Sequence, residues 1–311
     1  MKGLELCRKY YEAFGIPMIK EKFSDIEEKL CFGLAGSGSE CFGYDDIVSA
    51  DHDFEPGFCI FVPDDLDEKT LFSLERAYSK LPKEFLGYNR SLTAPVGGQR
   101  RGVIKIGDFF RSKTGKPDGD LALNDWFSVP EFYLAEATNG EIFADNYGKF
   151  SSIRKKLNDP PSDVFKKKLA GNLLLMKQSG QYNYNRMLYH GERAGAQLAV
   201  IEFVKAAVNA VFLLNHRYQP FYKWVFRALG ELPLFSDMAM TFEFLLTSDN
   251  EQKTSATKYA LMEDIAKDIA EYLIANKMTK ATCADLEKHA YSVNDSIENV
   301  SVRNSNILYA V

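Results

Sequence analysis

Residues 31–35, Cys-Phe-Gly-Leu-Ala, form an apolar run that stops at Gly36-Ser37-Gly38-Ser39, and a second apolar run opens at Asp53 and stops at Pro63. Short uncharged runs bounded by turn residues read as buried strands. The pattern predicts a strand over 31–35, a tight loop over 36–39, a helical turn over 40–46 and a second strand over 53–62. The whole makes a strand–loop–helix–strand unit over residues 31–63.

The chemistry of this unit sits in the loop and at the entrance to the second strand. Side chains i and i+2 of a strand share a face, so Asp51 and Asp53 point the same way with Cα atoms about 7 Å apart. Two such carboxylates can hold Mg²⁺, which takes few protein ligands and completes its shell with phosphate oxygens and water. A pair of such ions is the arrangement of two-metal phosphoryl transfer. Glycines let the backbone approach a phosphate closely, and successive N–H groups with the start of the next helix form an anion site. Ser37 or Ser39 adds a hydroxyl. With 43 acidic residues in the chain, an acid-x-acid triplet means nothing alone. The combination carries the signal: apolar run, Gly-Ser loop, Asp51 twelve positions after Ser39, then a new apolar run. His52 faces the other side of the strand and is expected to be structural. Asp45 and Asp46 read as a solvated turn.

The rest of the chain changes character at Pro160-Pro161. Before it, helices are expected over 2–14 and 20–30, with a break at Gly15-Ile16-Pro17. Others follow over 66–81, with Leu71, Leu74 and Leu81 inward, and over 126–137, with Pro130 in the first turn. Strands are expected over 101–106 and 140–145, and a polar loop over 112–120. After it, strand signals vanish. Helices are expected over 162–176, 192–214, 221–229, 235–246 and 254–276, with 192–214 apolar on most faces and central to a bundle. The reading is an α/β domain over 1–158 with a mixed sheet, then a helical bundle over 159–311.

Composition bounds the class. The chain has 311 residues, of which 46% are hydrophobic, enough for two cored domains. A net charge of −5 argues against broad nucleic-acid binding. Cys7, Cys31, Cys41, Cys59 and Cys283 contain no Cys-x-x-Cys pair, so the cysteines read as small buried residues in a reducing compartment. The N-terminus lacks a signal-peptide run, and the apolar stretch around 206–214 is shorter than a membrane span. A cytoplasmic protein without a membrane partner is expected.

Gly38-Ser39 followed by Asp51-His52-Asp53 resembles the signature of the DNA polymerase beta-like nucleotidyltransferase superfamily. More narrowly, Gly36-Ser37-Gly38-Ser39-Glu40-Cys41-Phe42-Gly43-Tyr44-Asp45-Asp46, then Ser49-Ala50-Asp51-His52-Asp53, and later His216-Arg217-Tyr218-Gln219-Pro220-Phe221-Tyr222-Lys223-Trp224 are similar to the bacterial domain-of-unknown-function family 4037. The resemblance runs over roughly residues 25–235. It implies a nucleotidyltransferase fold with a C-terminal helical bundle, as in kanamycin-type aminoglycoside nucleotidyltransferases. It also implies a third carboxylate on a later strand, as metal ligand or general base. Lys105 stands where such a group is expected, so Asp145 and Asp108 are the candidates, with Glu131 behind them.

The expected activity is transfer of a nucleoside monophosphate from a triphosphate, ATP or another, to a hydroxyl of an acceptor the sequence does not identify. Asp51 and Asp53 hold one or two Mg²⁺, and residues 36–39 hold the β and γ phosphates. The alternative is a non-catalytic nucleotide-binding or interaction protein. Arg186, His190 and Arg193 share a helix face if Gly191 is tolerated within it, and either meet phosphate or form ordinary ion pairs. Lys223 either faces the leaving pyrophosphate from a partly buried cleft or lays its stem on Trp224. Tyr182 and Tyr184 are expected to pack rather than stack on a base.

Overall fold

The structure, a computed structural model, describes residues 1–47, 54–90 and 100–311. Asp51, His52 and Asp53 lie outside the described residues. The chain divides into two compact units, Met1–Asp125 with Val129–Asp159, and Trp126–Ser128 with Pro160–Val311. The first is mixed α/β and the second is helical.

The first unit opens with α1 (Gly3–Tyr10), a π-helical turn (Tyr11–Gly15) and α2 (Ile16–Lys22), which run on without interruption. The expected break at Gly15-Ile16-Pro17 does not occur. The widened turn lets the Ile16 N–H reach the Tyr11 carbonyl, and Pro17 falls at the start of the next segment, where its missing N–H costs little. Then come β1 (Cys31–Leu34), α3 (Ser39–Phe42), β2 (Cys59–Val62) and α4 (Glu68–Ser79). A small hairpin of β3 (Glu84–Phe85) and β4 (Tyr88–Asn89) follows, then β5 (Gly102–Lys105), α5 (Ile106–Thr114), α6 (Leu123–Ser128), α7 (Glu131–Thr138), β6 (Glu141–Asp145) and α8 (Lys149–Leu157).

Three expectations are corrected here. The second strand begins at Cys59 rather than Asp53. The helix expected over 126–137 is two helices, because Pro130 holds Val129 extended at ψ 121° and starts α7 afresh. The polar loop expected over 112–120 begins later, since Ser112, Lys113 and Thr114 still belong to α5. That helix stops only at Gly115, whose φ of +77° ends it in the left-handed conformation.

The main sheet has the order β5-β2-β1-β6. β1 runs antiparallel to both β2 and β6, while β5 is parallel to β2. Strand alternation sends Ile60 and Val62 into one core with Tyr10, Tyr11, Phe32 and Leu74. On the opposite face Phe61 meets Phe109 and Phe150 with ring centroids 5.2 and 4.2 Å away, and Phe110 closes on Phe150 at 4.8 Å. The two central strands, β1 and β2, are buried on both faces, which is why they are continuous apolar runs rather than alternating ones.

In the second unit, α9 (Ser162–Met176) leads through a π-helical stretch (Lys177–Asn183) into α10 (Tyr184–Tyr189). α11 (Arg193–Leu214), α12 (Val225–Gly230), α13 (Met238–Thr247), α14 (Gln252–Ala275), α15 (Leu286–Asp295) and α16 (Val300–Asn304) complete it, with no strand among its described residues. The helix expected over 192–214 forms as the 22-residue α11, which by length and composition is enough to cross a membrane, so the expectation that the apolar stretch around 206–214 is shorter than a span is corrected. In this fold α11 is the central helix, packed on α9, α10 and α13. Tyr184 is fully buried and donates to Asn250 Oδ1 at 2.9 Å, as its packing role predicts.

Lys258 is fully buried, and its ammonium is held by amide and carbonyl oxygens. Its ammonium donates to Gln197 Oε1 at 2.8 Å, to the Ser248 carbonyl at 3.0 Å and to the Asp249 carbonyl at 3.3 Å. It thereby ties α14 to α11 and to the end of α13. Burial lowers its pKa. Lys258→Met is expected to destabilise this unit by about 2–3 kcal/mol, because buried carbonyl and amide oxygens lose their donor. Urea denaturation reads this, and an unchanged midpoint would show that the ammonium is dispensable.

Candidate functional site

Strand direction sorts the polar residues of the first unit into two groups. The end of β1, the starts of β2, β5 and β6, and the Gly-Ser loop share one end of the sheet, because Gly33 pairs with Cys59, Cys59 with Gly102 and Leu34 with Glu141. The ends of β2, β5 and β6 share the other, where Cys31 pairs with Asp145.

At the loop end, Gly36 and Gly38 have φ of +106° and +129°, conformations that side chains rarely adopt. A Cβ on Gly38 would lie 2.5 Å from a Glu40 carboxylate oxygen. Asn139 brackets Gly36 from the end of α7. Its Oδ1 accepts the Gly36 N–H and its Nδ2 donates to the Gly36 carbonyl, both at 2.8 Å. Arg154 of α8 in turn donates to the carbonyls of Thr138 and Asn139. The Gly36 N–H is thus already committed, and α3 is a single turn of four residues. The expected cradle of successive backbone donors is therefore thinner than the glycine pattern implied.

Side chains fill the gap. Ser37 Oγ donates to Glu136 Oε2 at 2.8 Å and accepts from Lys113 Nζ at 3.0 Å. Lys113 and Glu136 also pair directly at 2.5 Å, with their side chains 14% and 10% exposed. Lys113 arrives because α5 begins at the far end of the sheet and runs back. Glu136 arrives because α7 delivers the chain to the start of β6.

The buried centre of this end is Arg101, just before β5. Its guanidinium lies 3.1 Å from Glu40 Oε1 and 3.5 Å from Glu55 Oε1. Burial, the largest influence, pulls its pKa down, but Cys7, Glu40 and Glu55 together carry it above the ordinary value. Glu40 directly follows the Gly-Ser loop, and Glu55 lies two residues after Asp53. Arg101 therefore joins the chain that leaves the loop to the chain that leaves the Asp-His-Asp triplet. The Tyr78 hydroxyl fixes the approach to β2 by accepting the Phe58 N–H at 3.1 Å and donating to the Phe58 carbonyl at 2.7 Å.

The cysteines here are buried and inert. Burial pushes the Cys7 and Cys41 thiols up, and the Cys59 thiol up to about 12. Cys31 is also buried, and Cys283 is the exposed one.

Other candidates sit elsewhere. Asp145 lies at the far end of the sheet and accepts the N–H groups of Gly148 and Ser151, capping α8 at 2.9 and 2.8 Å. Asp108 is in the first turn of α5, also at the far end, and pairs with Arg111 at 2.6 Å on the surface. Strand direction separates both from the Gly-Ser loop. Glu141, at the start of β6, is the later-strand carboxylate at the loop end, and it pairs with Arg8. Asp45 is buried rather than solvated, and its Oδ2 accepts the Gly3 N–H at 2.9 Å to cap α1.

Lys223 and Arg186 belong to the second unit. Lys223 is exposed rather than in a partly buried cleft, and its ammonium lies 4.3 Å from the centre of the Trp224 ring. Arg186 lies over Tyr182 and donates to its hydroxyl at 2.9 Å. Arg193 pairs with Glu251 at 2.6 Å, and His190 is exposed.

A divalent ion needs oxygens not already committed. Glu40 and Glu55 are paired with Arg101, Glu136 with Lys113 and Glu141 with Arg8. Among the described residues no three His, Cys, Asp or Glu side chains form a metal-binding group. Ions at this end would draw their carboxylates from Asp51 and Asp53, outside the described residues.

Residues 126–225 match the family described as Domain of unknown function (DUF4037), the family its motifs resemble. The matched stretch contains the 216–224 motif and not the Gly-Ser loop. No curated protein and no solved structure matches the chain.

Arg101→Met is expected to lower the stability of the first unit by about 3–5 kcal/mol, since the buried Glu40 and the half-buried Glu55 lose their counter-charge. Arg101→Lys should recover part of this. Urea denaturation measures both, and a wild-type midpoint for the methionine variant would contradict the bridging role.

Proposed function

We propose that this protein is a Mg²⁺-dependent nucleotidyltransferase of the polymerase beta-like type. It would move a nucleoside monophosphate from a triphosphate, ATP being the expected donor, to an acceptor hydroxyl. The observation that carries the reading is the Arg101 bridge. By holding Glu40 and Glu55 on one guanidinium, it brings together the chain on the far side of both halves of the motif, at the sheet end where the Gly-Ser loop closes β1.

In this reading Asp51 and Asp53 hold Mg²⁺, which supplies charge stabilisation to the transferring phosphoryl group. The chain's own part is positioning. Gly36, Ser37, Gly38 and Ser39 seat the β and γ phosphates. Glu141 lies at the end of the sheet from which a carboxylate could take the proton of an acceptor hydroxyl. Lys223 and Arg186 are not needed for this chemistry as they stand, since each is engaged with an aromatic neighbour in the second unit.

Asp51→Asn and Asp53→Asn are each expected to cut turnover by at least ~10², read as pyrophosphate release from ATP and Mg²⁺ across a panel of hydroxyl acceptors. Wild-type-like transfer by both variants would overturn the mechanism. ATP binding by the wild type with no release on any acceptor would favour a non-catalytic nucleotide-binding protein.

A further inference from the structure

Lys113 and Glu136 were invisible as a pair in the sequence, and the fold brings them together beside Ser37. Lys113 is an ammonium with little solvent around it, placed at a Gly-Ser loop and held by one hydroxyl and one carboxylate. The Tyr133 ring, one turn before Glu136 on α7, stands 5.7 Å from the same ammonium. Glu136 Oε2 collects a hydroxyl donor and an ammonium donor at once. That is how a phosphate oxygen is bound. The carboxylate therefore fills the position that an anionic ligand of the loop would take.

We infer that Ser37 and Lys113 form a polyphosphate-binding pair, and that Glu136 is the internal anion occupying it when no ligand is bound. The identification of its ligand as the β and γ phosphates of a nucleoside triphosphate rests on the function proposed above. The pair itself does not, because any polyphosphate would meet the same two donors. The exchange is one anion for another. The ligand takes the Ser37 hydroxyl and one N–H of Lys113, while Glu136 keeps contact through the remaining N–H groups of the lysine, which has three. The arrangement also explains why a loop with its Gly36 N–H committed to Asn139 can hold a highly charged ligand.

Isothermal titration of inorganic tripolyphosphate without metal tests the pair, and titration of ATP with Mg²⁺ tests its place in the proposed function. Lys113→Met is expected to weaken tripolyphosphate binding about 10- to 100-fold, the loss of one charge-assisted contact, and Lys113→Arg to stay within a few-fold of wild type. AMP, which lacks those phosphates, should bind wild type and Lys113→Met alike. Glu136→Gln keeps the lysine, removes the competing anion and should bind tripolyphosphate at least as tightly as wild type. Because Lys113→Met leaves Glu136 buried and unpaired, the double variant Lys113→Met/Glu136→Gln supplies a neutral pair whose binding should be as weak as that of the single lysine variant. Tripolyphosphate binding unchanged in both lysine-free variants, or absent in wild type, would overturn the inference. Lys113-dependent tripolyphosphate binding without ATP binding would leave the pair standing and remove the nucleotidyltransferase reading instead.

Discussion

A single guanidinium organises the loop end of the first unit. Arg101 is almost without solvent, and two carboxylates from different parts of the chain close on it. A buried charge of this kind is stable only while its partners stay in place. Arg101 cannot leave its position without stranding the buried Glu40 carboxylate in the interior and releasing the half-buried Glu55. Glu40 also crowds Gly38, where a Cβ would come within 2.5 Å of its carboxylate.

The sheet supplies the second constraint. Because β1 is antiparallel to β2 and β6 while β5 is parallel to β2, every strand presents its polar terminus to one end or the other with no freedom to choose. The helices follow. α5 starts where β5 ends and must return, which carries Lys113 back to the Gly-Ser loop. α7 must reach the start of β6, which brings Glu136 and Asn139 to the same place. The loop-end contacts to Ser37 and to Gly36 thus follow from connectivity more than from local preference.

This explains what could be read from the sequence and what could not. The apolar, sharply punctuated run 31–35 and the β-branched Val103-Ile104 core of 101–106 became β1 and β5 within a residue or two. The Gly-Ser loop was legible because glycine marks backbone conformations that other residues avoid. Arg101 was not, since its partner Glu40 is 61 positions away and no local pattern announces a pair that distant. Lys113 was hidden by its company. A polar stretch with two glycines reads as loop, yet the helix persists until Gly115 because amphipathic packing of Phe109 and Phe110 outweighs the polarity of the last turn. Asp145 and Asp108 misled for a topological reason. A carboxylate near a strand has two ends to choose from, and only pairing direction tells which. Glu141, four positions before Asp145 on the same strand, stands at the loop end.

In the proposed function the Gly-Ser loop and the Asp-x-Asp triplet build one metal and triphosphate site. Crystals grown with Mn²⁺ and a non-hydrolysable ATP analogue, with anomalous scattering recorded from the manganese, address it directly. The account predicts manganese bound by Asp51 and Asp53, with the analogue's phosphates over residues 36–39 and within reach of Lys113. Manganese on other side chains, or a nucleotide seated away from the Gly-Ser loop, would contradict it.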